Sequence, residues 1–529
     1  MTLLPRLGLG TFFALLTALG LTLFPGHSYL LSDTQVYIPL FEHLRQPSLY
    51  PNELLLEGAH LAFTLYDEIT LALPFPFEFS LFLQQFLFRW LGYIGAFLLA
   101  RSAGLAHGPA ALASALLWLG AFVYGPAVVT TEFEPVPRGF AVPLVVATLG
   151  LLASGRPRLA SVCFALAFLY HAPAVWPILL IALLLRHRPL LIAAALSGAL
   201  LFTAAQFQHG LVSPQPFFAF IDPAHRAIQQ TRAPYNWISL WPLRHILHCL
   251  LTAALATLAF RRLEHTLPPS VQPFFRWLPL IGLATMPLSW LGLELVGWSL
   301  FPQIQPMRAL LYCHLLTLWL CPLAAAQSLS RRAWLEASAW LIVPLSLSLR
   351  GEIFLLPPSA IPPQLTLAAL LLATTFLATR FSHRALPFAL CLLLAPLYGE
   401  LFSARAFKPA ETSSLSALSS WAQSQTPASS IFFFPDLGRR LEPGIFRARA
   451  LRTVYVCWKQ GGQVNYFPAY AKQWWQRWSQ LLAPNHPPHN FDDLRRRGIH
   501  FLVYTNSSPA ASLPLVYSSP DYRVYQLTP

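Results

Sequence analysis

Charge is what this chain has least of. Only 11% of its 529 residues are Asp, Glu, Lys or Arg, where soluble domains run to roughly 25%. That scarcity excludes an ordinary soluble enzyme, because too few charged side chains are present to cover a water-facing surface. Cysteine is sparse as well. Of six, Cys163, Cys249, Cys313, Cys321 and Cys391 fall in or beside apolar segments, and Cys457 stands alone in the polar C-terminal part. This excludes a disulfide within that part, and no C-x-x-C spacing offers a thiolate metal site. A cleavable secretory leader is also missing from the expectations. The first apolar segment has only Arg6 before it, no small-residue cleavage site after it, and further apolar segments beyond. No internal repeat is visible.

What remains is hydrophobic: 55% of the chain. Apolar runs of about 18 or more residues, enough to cross a bilayer, recur from end to end. The sequence predicts an α-helical polytopic membrane protein with about 13 spans, near 7–25, 79–100, 109–128, 139–154, 159–171, 173–185, 190–208, 242–260, 277–300, 303–327, 333–349, 363–380 and 385–402. The 48 prolines imply kinked or broken helices, which membranes tolerate where neighbours satisfy the freed backbone groups.

Arginines fill one set of short connections, as in Gly155-Arg156-Pro157-Arg158 and Arg186-His187-Arg188, and are fewer in the other set. The positive-inside rule then places the N-terminus in the cytoplasm and, with an odd number of spans, the C-terminal part outside. A bacterial inner membrane with a periplasmic or extracellular tail is the expected setting. Asp33, Asp67, Glu68, Glu132, Glu134, Arg138, His171 and Arg308 all fall on the outer side in this topology. The transmembrane part is expected over 1–404, with a long first outside loop over 26–78. Over 34–44 of that loop, Val36, Ile38, Leu40, Phe41 and Leu44 recur with helical spacing, predicting a helix lying along the membrane surface. A second stretch, 54–65, is apolar but too short to span.

Residues 405–529 read as a small α/β extracytoplasmic domain. Helices are expected over Ser413–Gln425, 468–482 and 492–497, and strands over 430–434, 453–458, 499–505, Leu515–Ser518 and 522–527. This part carries 14 basic and 6 acidic residues. Such a balance suits anionic lipid headgroups or a phosphate-bearing substrate, and nucleic acid is not an expected partner outside a membrane.

Asp33, in Ser32-Asp33-Thr34-Gln35 just past the first span, is the leading candidate for chemistry. A sugar acceptor hydroxyl must lose a proton as it attacks, and a carboxylate at the membrane surface can take it. The structural alternative is an N-cap, since Ser32 or Asp33 precedes an amphipathic stretch. Glu132-Phe133-Glu134 offers alternate carboxylates that point the same way in extended backbone. A divalent cation (Mg or Mn), with Asp33 and Glu134 as ligands, is the cofactor this pattern admits, and Glu132 is a candidate for binding the substrate. Arg138 can hold a phosphate bidentately or can snorkel as an ordinary interfacial arginine. His171, in Tyr170-His171-Ala172-Pro173, is either a substrate contact or a helix-end contact at a proline-broken turn. Arg308 lies near the outer end of an apolar segment, where it can clamp a lipid phosphate. Arg89 lies mid-span and is expected to pair inward. In Trp458-Lys459-Gln460-Gly461-Gly462, Lys459 adds a cation beside a flexible turn that can cover a ligand. Trp474-Trp475-Gln476-Arg477-Trp478 reads as packing or anchoring more than as sugar stacking.

Together these features resemble the GT-C class of membrane glycosyltransferases. The resemblance rests on Asp33 after the first span, the second acidic loop with Glu132 and Glu134, about 13 spans, and the tail domain. It rests also on Ser32-Asp33-Thr34-Gln35-Val36-Tyr37-Ile38-Pro39, Arg138-Gly139-Phe140-Ala141-Val142-Pro143, Gln305-Pro306-Met307-Arg308 and Val456-Cys457-Trp458-Lys459-Gln460-Gly461-Gly462. These segments are similar to uncharacterised bacterial multipass proteins associated with that class. The resemblance implies an inverting sugar transfer from a polyprenyl-phosphate-linked donor at the outer face, with a first-loop acid as base and, in some members, a divalent metal. The chain departs from the pattern in having one first-loop aspartate and no D-x-D pair. It also lacks Asp-Tyr-Gly after Trp474-Trp475, which argues against protein N-glycosylation. Two non-enzymatic alternatives stand beside this one: a lipid or polysaccharide carrier, and an envelope assembly protein.

Overall fold

The fold is that of a computed structural model, which describes residues 3–56, 64–207, 216, 218–350, 361–381, 383–402, 410–483, 490–508 and 512–527. Helices dominate to residue 402: α1 (Leu3–Thr22), α2 (Thr34–Arg45), α3 (Tyr66–Ala72), α4 (Phe77–Ser102), α5 (His107–Leu116), α6 (Pro137–Ala153), α7 (Pro157–Leu184), α8 (Arg188–Phe207), α9 (Pro223–Arg232), α10 (Leu243–Leu263), α11 (Gln272–Ser289), α12 (Leu300–Ile304), α13 (Leu311–Ser330), α14 (Trp334–Arg350), α15 (Ile361–Arg380) and α16 (Leu386–Phe402). A short hairpin, β1 (Phe122–Val123) and β2 (Val128–Val129), lies between α5 and α6. The C-terminal part then runs α17 (Ser413–Gln425), β3 (Ile431–Phe433), α18 (Glu442–Ala450), β4 (Thr453–Val454), α19 (Pro468–Leu481), α20 (Phe491–Arg496), β5 (Phe501–Thr505), β6 (Leu515–Ser518) and β7 (Tyr522–Gln526).

Six helical stretches among the described residues are long and apolar enough to cross a membrane: Phe77–Ser102, Pro157–Leu184, Arg188–Phe207, Leu243–Leu263, Gln272–Leu295 and Leu300–Ser330. Shorter apolar helices cover Gly8–Thr22, Pro137–Ala153, Trp334–Ser348 and Leu365–Arg380. The last stretch of the six is the centre of the bundle, with the whole of its most apolar window buried. By contrast α8 leaves Ile192, Leu196 and Phe202 more than half exposed, which is the lipid-facing side of a bundle helix. Where α4 crosses α6 the backbones nearly touch. A Cβ on Gly150 would lie 1.9 Å from the Gly95 carbonyl oxygen, so only glycine permits this approach.

Several expectations are corrected here. The apolar run 109–128 is no single span: α5 ends at Leu116, a 3-10 turn follows, Gly120 takes φ 77°, and the chain enters the β1–β2 hairpin. Its Ala121, Val123, Val128 and Val129 are apolar because protein covers them. The two segments 159–171 and 173–185 are one element, α7, broken at His171 (φ −159°, ψ 81°). The helix over 34–44 forms as α2, but Val36, Ile38, Leu40 and Phe41 are buried. The helix packs on α18, which the sequence reading did not anticipate. Of the stretch 54–65, Leu54–Leu56 is a 3-10 turn, and 57–63 lies outside the described residues.

The C-terminal sheet has the order β4-β3-β5-β7-β6, with β3 parallel to both β4 and β5, and β7 antiparallel to β5 and β6. The strand expected over 453–458 is only β4; the chain then turns into a 3-10 segment, Lys459–Gln463. Trp474 is fully buried, donates its indole N–H to the Cys457 carbonyl at 3.0 Å, and stacks on Trp478. It is a packing residue.

Candidate functional site

The first-loop turn and the second acidic loop are bound together by Glu134. Its Oε1 accepts from the Ser32 N–H at 2.5 Å and the Thr34 hydroxyl at 2.6 Å, and its Oε2 accepts from the Asp33 N–H at 2.8 Å. Asp33 occupies the N-cap position of α2, yet its side chain makes no capping bond. Glu134 holds the backbone N–H groups of Ser32 and Asp33, and the Asp33 carboxylate is not spent on capping. Burial and the neighbouring Asp33 push the Glu134 carboxyl up to about 7.

The Asp33 side chain is 53% exposed, so its carboxylate is accessible. Lys459 Nζ stands 3.6 Å from its Oδ1 and also donates to the Ser32 hydroxyl. Arg138, Arg308 and Arg232 act on the same carboxylate. Burial pulls the Asp33 carboxyl up, but these four cations outweigh it and hold it below the usual carboxylate range. The group is therefore ionised at neutral pH.

Arg138 is the second residue of α6, next to Gly139, whose backbone packs on Glu132. Its Nε (2.7 Å) and Nη2 (2.5 Å) both reach Glu132 Oε1. A guanidinium has five N–H donors, so this pair aims Arg138 without exhausting it. Burial raises the Glu132 carboxyl, and Arg138 opposes that shift. The Glu132 carbonyl accepts from Arg89 Nη2 at 2.7 Å and Gln85 at 2.9 Å, so Arg89 supports the acidic loop from within α4.

Arg308 lies in the 3-10 turn between α12 and α13, just after Gln305 in the left-handed region (φ 49°). Its guanidinium lies 5.7 Å from the Tyr235 ring centre, and its Nε is buried with no hydrogen-bond partner among the described residues. His171 sits at the break in α7, within electrostatic reach of Arg138 and Arg308. Its Nδ1 accepts the Ala174 N–H at 3.0 Å, so the neutral ring carries its proton on Nε2 and presents a donor.

Asp33, Glu132, Glu134, Arg138, His171, Arg308 and Lys459 therefore converge from six separate segments. Asp67 and Glu68 lie apart in α3, where burial and the adjacent Glu68 push Asp67 up to about 9. Arg232, expected on the outer side but given no role from the sequence, and two tyrosines that the sequence did not single out join the group. Arg232 donates to the Trp458 carbonyl at 3.2 Å and lies 4.9 Å from that ring's centre, and Tyr37 and Tyr466 lie in the field of Asp33, Arg138 and Arg308. Single tyrosines in aromatic-rich loops carry no signal that would pick them out.

A divalent cation shared by Asp33 and Glu134 does not fit these residues. Both Glu134 oxygens are used by first-loop donors, Glu132 is paired to Arg138, and no group of three or more His, Cys, Asp or Glu gathers among the described residues. The arrangement offers instead one accessible carboxylate among cations, which suits an anionic ligand beside a proton acceptor.

No family model matches the chain, and no curated protein matches it. Among solved structures it is similar to ArnT from Cupriavidus metallidurans in the apo state, at 12% identity and TM-score 0.48, covering 99% of this chain and 98% of that one. The same protein bound to undecaprenyl phosphate gives 12% identity and TM-score 0.44, covering 100% and 99%. An Archaeoglobus fulgidus oligosaccharyltransferase, tethered to an acceptor peptide, gives 13% identity and TM-score 0.42, covering 94% of this chain and 69% of that one. Likeness at this level assigns neither a reaction nor a ligand.

Proposed function

We propose that this chain is a GT-C-like glycosyltransferase of a bacterial inner membrane. It moves a hexosyl or pentosyl group from a polyprenyl-phosphate carrier to a cell-envelope acceptor at the outer face. The observation that supports this reading is the ionised, accessible Asp33 carboxylate set among Lys459, Arg138, Arg308 and Arg232. In the proposed step the acceptor hydroxyl gives its proton to Asp33 as its oxygen bonds to the anomeric carbon. The bond from that carbon to the phosphate oxygen breaks, and the phosphate leaves with the electron pair. Arg308, with no hydrogen-bond partner at Nε among the described residues, and the remaining donors of Arg138 meet that charge. His171 offers Nε2–H to the same phosphate or to the sugar. Glu132 aims Arg138, and Glu134 fixes the turn that carries Asp33. Base catalysis of this kind contributes on the order of 10²–10⁴ in rate.

Native mass spectrometry of the full chain in mild detergent tests the reading, comparing wild type with Asp33→Asn and Arg308→Ala. A polyprenyl-phosphate species retained by wild type and Asp33→Asn but lost from Arg308→Ala is the expected result. Only bulk phospholipid, identical in all three, would sink the donor-site assignment and favour the carrier or assembly alternatives.

A further inference from the structure

The densest buried polar contact outside the site joins the first loop to the C-terminal part. Glu53 and Arg447 are an ion pair with both side chains fully buried, Nη1 to Oε1 at 3.4 Å. Glu53 Oε1 also accepts from the Leu55 N–H at 3.3 Å and from the Gln460 amide, and its Oε2 accepts from the Val454 N–H at 3.2 Å. Arg447 donates through Nη2 to the Gln35 carbonyl at 2.8 Å and through Nη1 to the Cys457 sulfur at 3.8 Å. The loop reaches this place through Tyr50 and Asn52, both in the left-handed region (φ 59° and 61°), where L side chains are strained. Beside it α2 and α18 approach closely enough that a Cβ on Gly444 would strike the Gln35 side chain.

The two ends of this network are informative. Gln35 lies two residues from Asp33 in the first turn of α2. Gln460 is the neighbour of Lys459, and its own Oε1 accepts the Cys457 N–H at 2.7 Å, fixing the turn that presents Lys459. The pair thus grips the backbone on both sides of the Asp33–Lys459 contact. We propose that Glu53 and Arg447 are positioning residues that set the Asp33–Lys459 spacing, so that docking of α18 onto the first loop completes the site. This rests on reading Asp33 as the reacting carboxylate, but its test does not use sugar transfer.

The groups facing Asp33 are Lys459, Arg138, Arg308, Arg232, Glu132, Glu134, Tyr37 and Tyr466. Lys459 stands first among the cations that hold Asp33 ionised. If Glu53 and Arg447 place Lys459, losing them raises the pH at which Asp33 becomes protonated. A carbodiimide labels protonated carboxyls, so peptide mapping by mass spectrometry across pH gives a labelling midpoint for Asp33 in the full chain without any substrate. Lys459→Met should move that midpoint upward by on the order of one pH unit, and Glu53→Gln should move it the same way.

Glu53→Gln leaves Arg447 buried and uncompensated, which can prevent folding. The double variant Glu53→Gln with Arg447→Met removes the buried charge altogether. It should unfold near the wild-type temperature while keeping the raised midpoint. A folded double variant whose Asp33 midpoint equals that of wild type, with Lys459→Met displaced, would overturn the proposal and leave the pair a purely structural staple. Loss of the lipid-donor reading by native mass spectrometry would leave this result untouched, so the two failures are distinguishable.

Discussion

Glu134 shows how one side chain can matter without touching a substrate. Its ordinary value of 4.5 rises to about 7 in the fold. Between those values the folded chain holds a proton that the unfolded chain has released. The stability this group contributes is therefore full below about 4.5, falls as pH rises towards 7, and levels off above it. Thermal unfolding of wild type and Glu134→Gln from pH 4.5 to 7.5 should show that decline in wild type and a flatter profile in the variant. A parallel pair of curves would mean Glu134 is ionised throughout. Asp33 shifts the opposite way because its neighbours are cations, although both residues belong to one small cluster. Proximity in sequence explained neither shift. Asp33 was legible as a candidate because its place just outside the first span resembles that of the acid in membrane sugar transferases, whereas the pairing of Glu134 to the Asp33 backbone spans 101 residues and leaves no mark in sequence.

At the scale of elements, α7 is the clearest case. Tyr170-His171-Ala172-Pro173 read as a boundary between two spans, and the structure places a helix break there while keeping the flanks in one element. His171 caps the second half through Nδ1 and the Ala174 N–H, which is the helix-end role that a proline-broken turn favours. The same bond fixes the tautomer that offers a donor to the site, so the structural and functional readings of His171 coincide. His171→Ala should lower stability by about 0.5–2 kcal/mol, and His171→Asn, which can cap, should recover most of it. Unfolding in detergent measures both. Equal loss in the two variants would mean the cap contributes nothing. The miss over 109–128 has a different origin. Apolar content alone cannot separate residues facing lipid from residues facing protein, and Gly120 and the Gly125-Pro126 pair were the turn signals that argued against a span.

For the molecule as a whole, α18 is one of the elements that tie the two parts together. Arg447 reaches Glu53 in the first loop, and Arg449 reaches Glu78 at the start of α4 at 2.9 Å and Glu411 at 2.9 Å. The partly exposed Arg449 pairs contribute little individually; the buried Arg447 pair specifies the docking. The orientation expected from the arginine-rich turns can be tested directly. A cysteine at Ser518, exposed on β6, should react with a membrane-impermeant maleimide added to intact spheroplasts. One at Arg158, exposed in the first turn of α7, should react only after lysis. The reverse pattern would invert the topology and place the Asp33 site in the cytoplasm.

The sequence by itself determined that the chain is a membrane-embedded helical bundle, that its basic C-terminal part carries a small sheet, and which side chains stood out as candidates. Those conclusions depend on composition and short-range pattern, and burial of apolar surface enforces them locally. Only the tertiary structure decided which candidates meet, that Glu134 serves the backbone and Glu132 serves Arg138, and that α2 is covered by α18 and not by the membrane surface. Each of these depends on contacts between segments far apart in the chain. In a chain this poor in charge, a few buried ion pairs and hydrogen bonds settle those contacts, because a charge left unpaired there is too costly to keep.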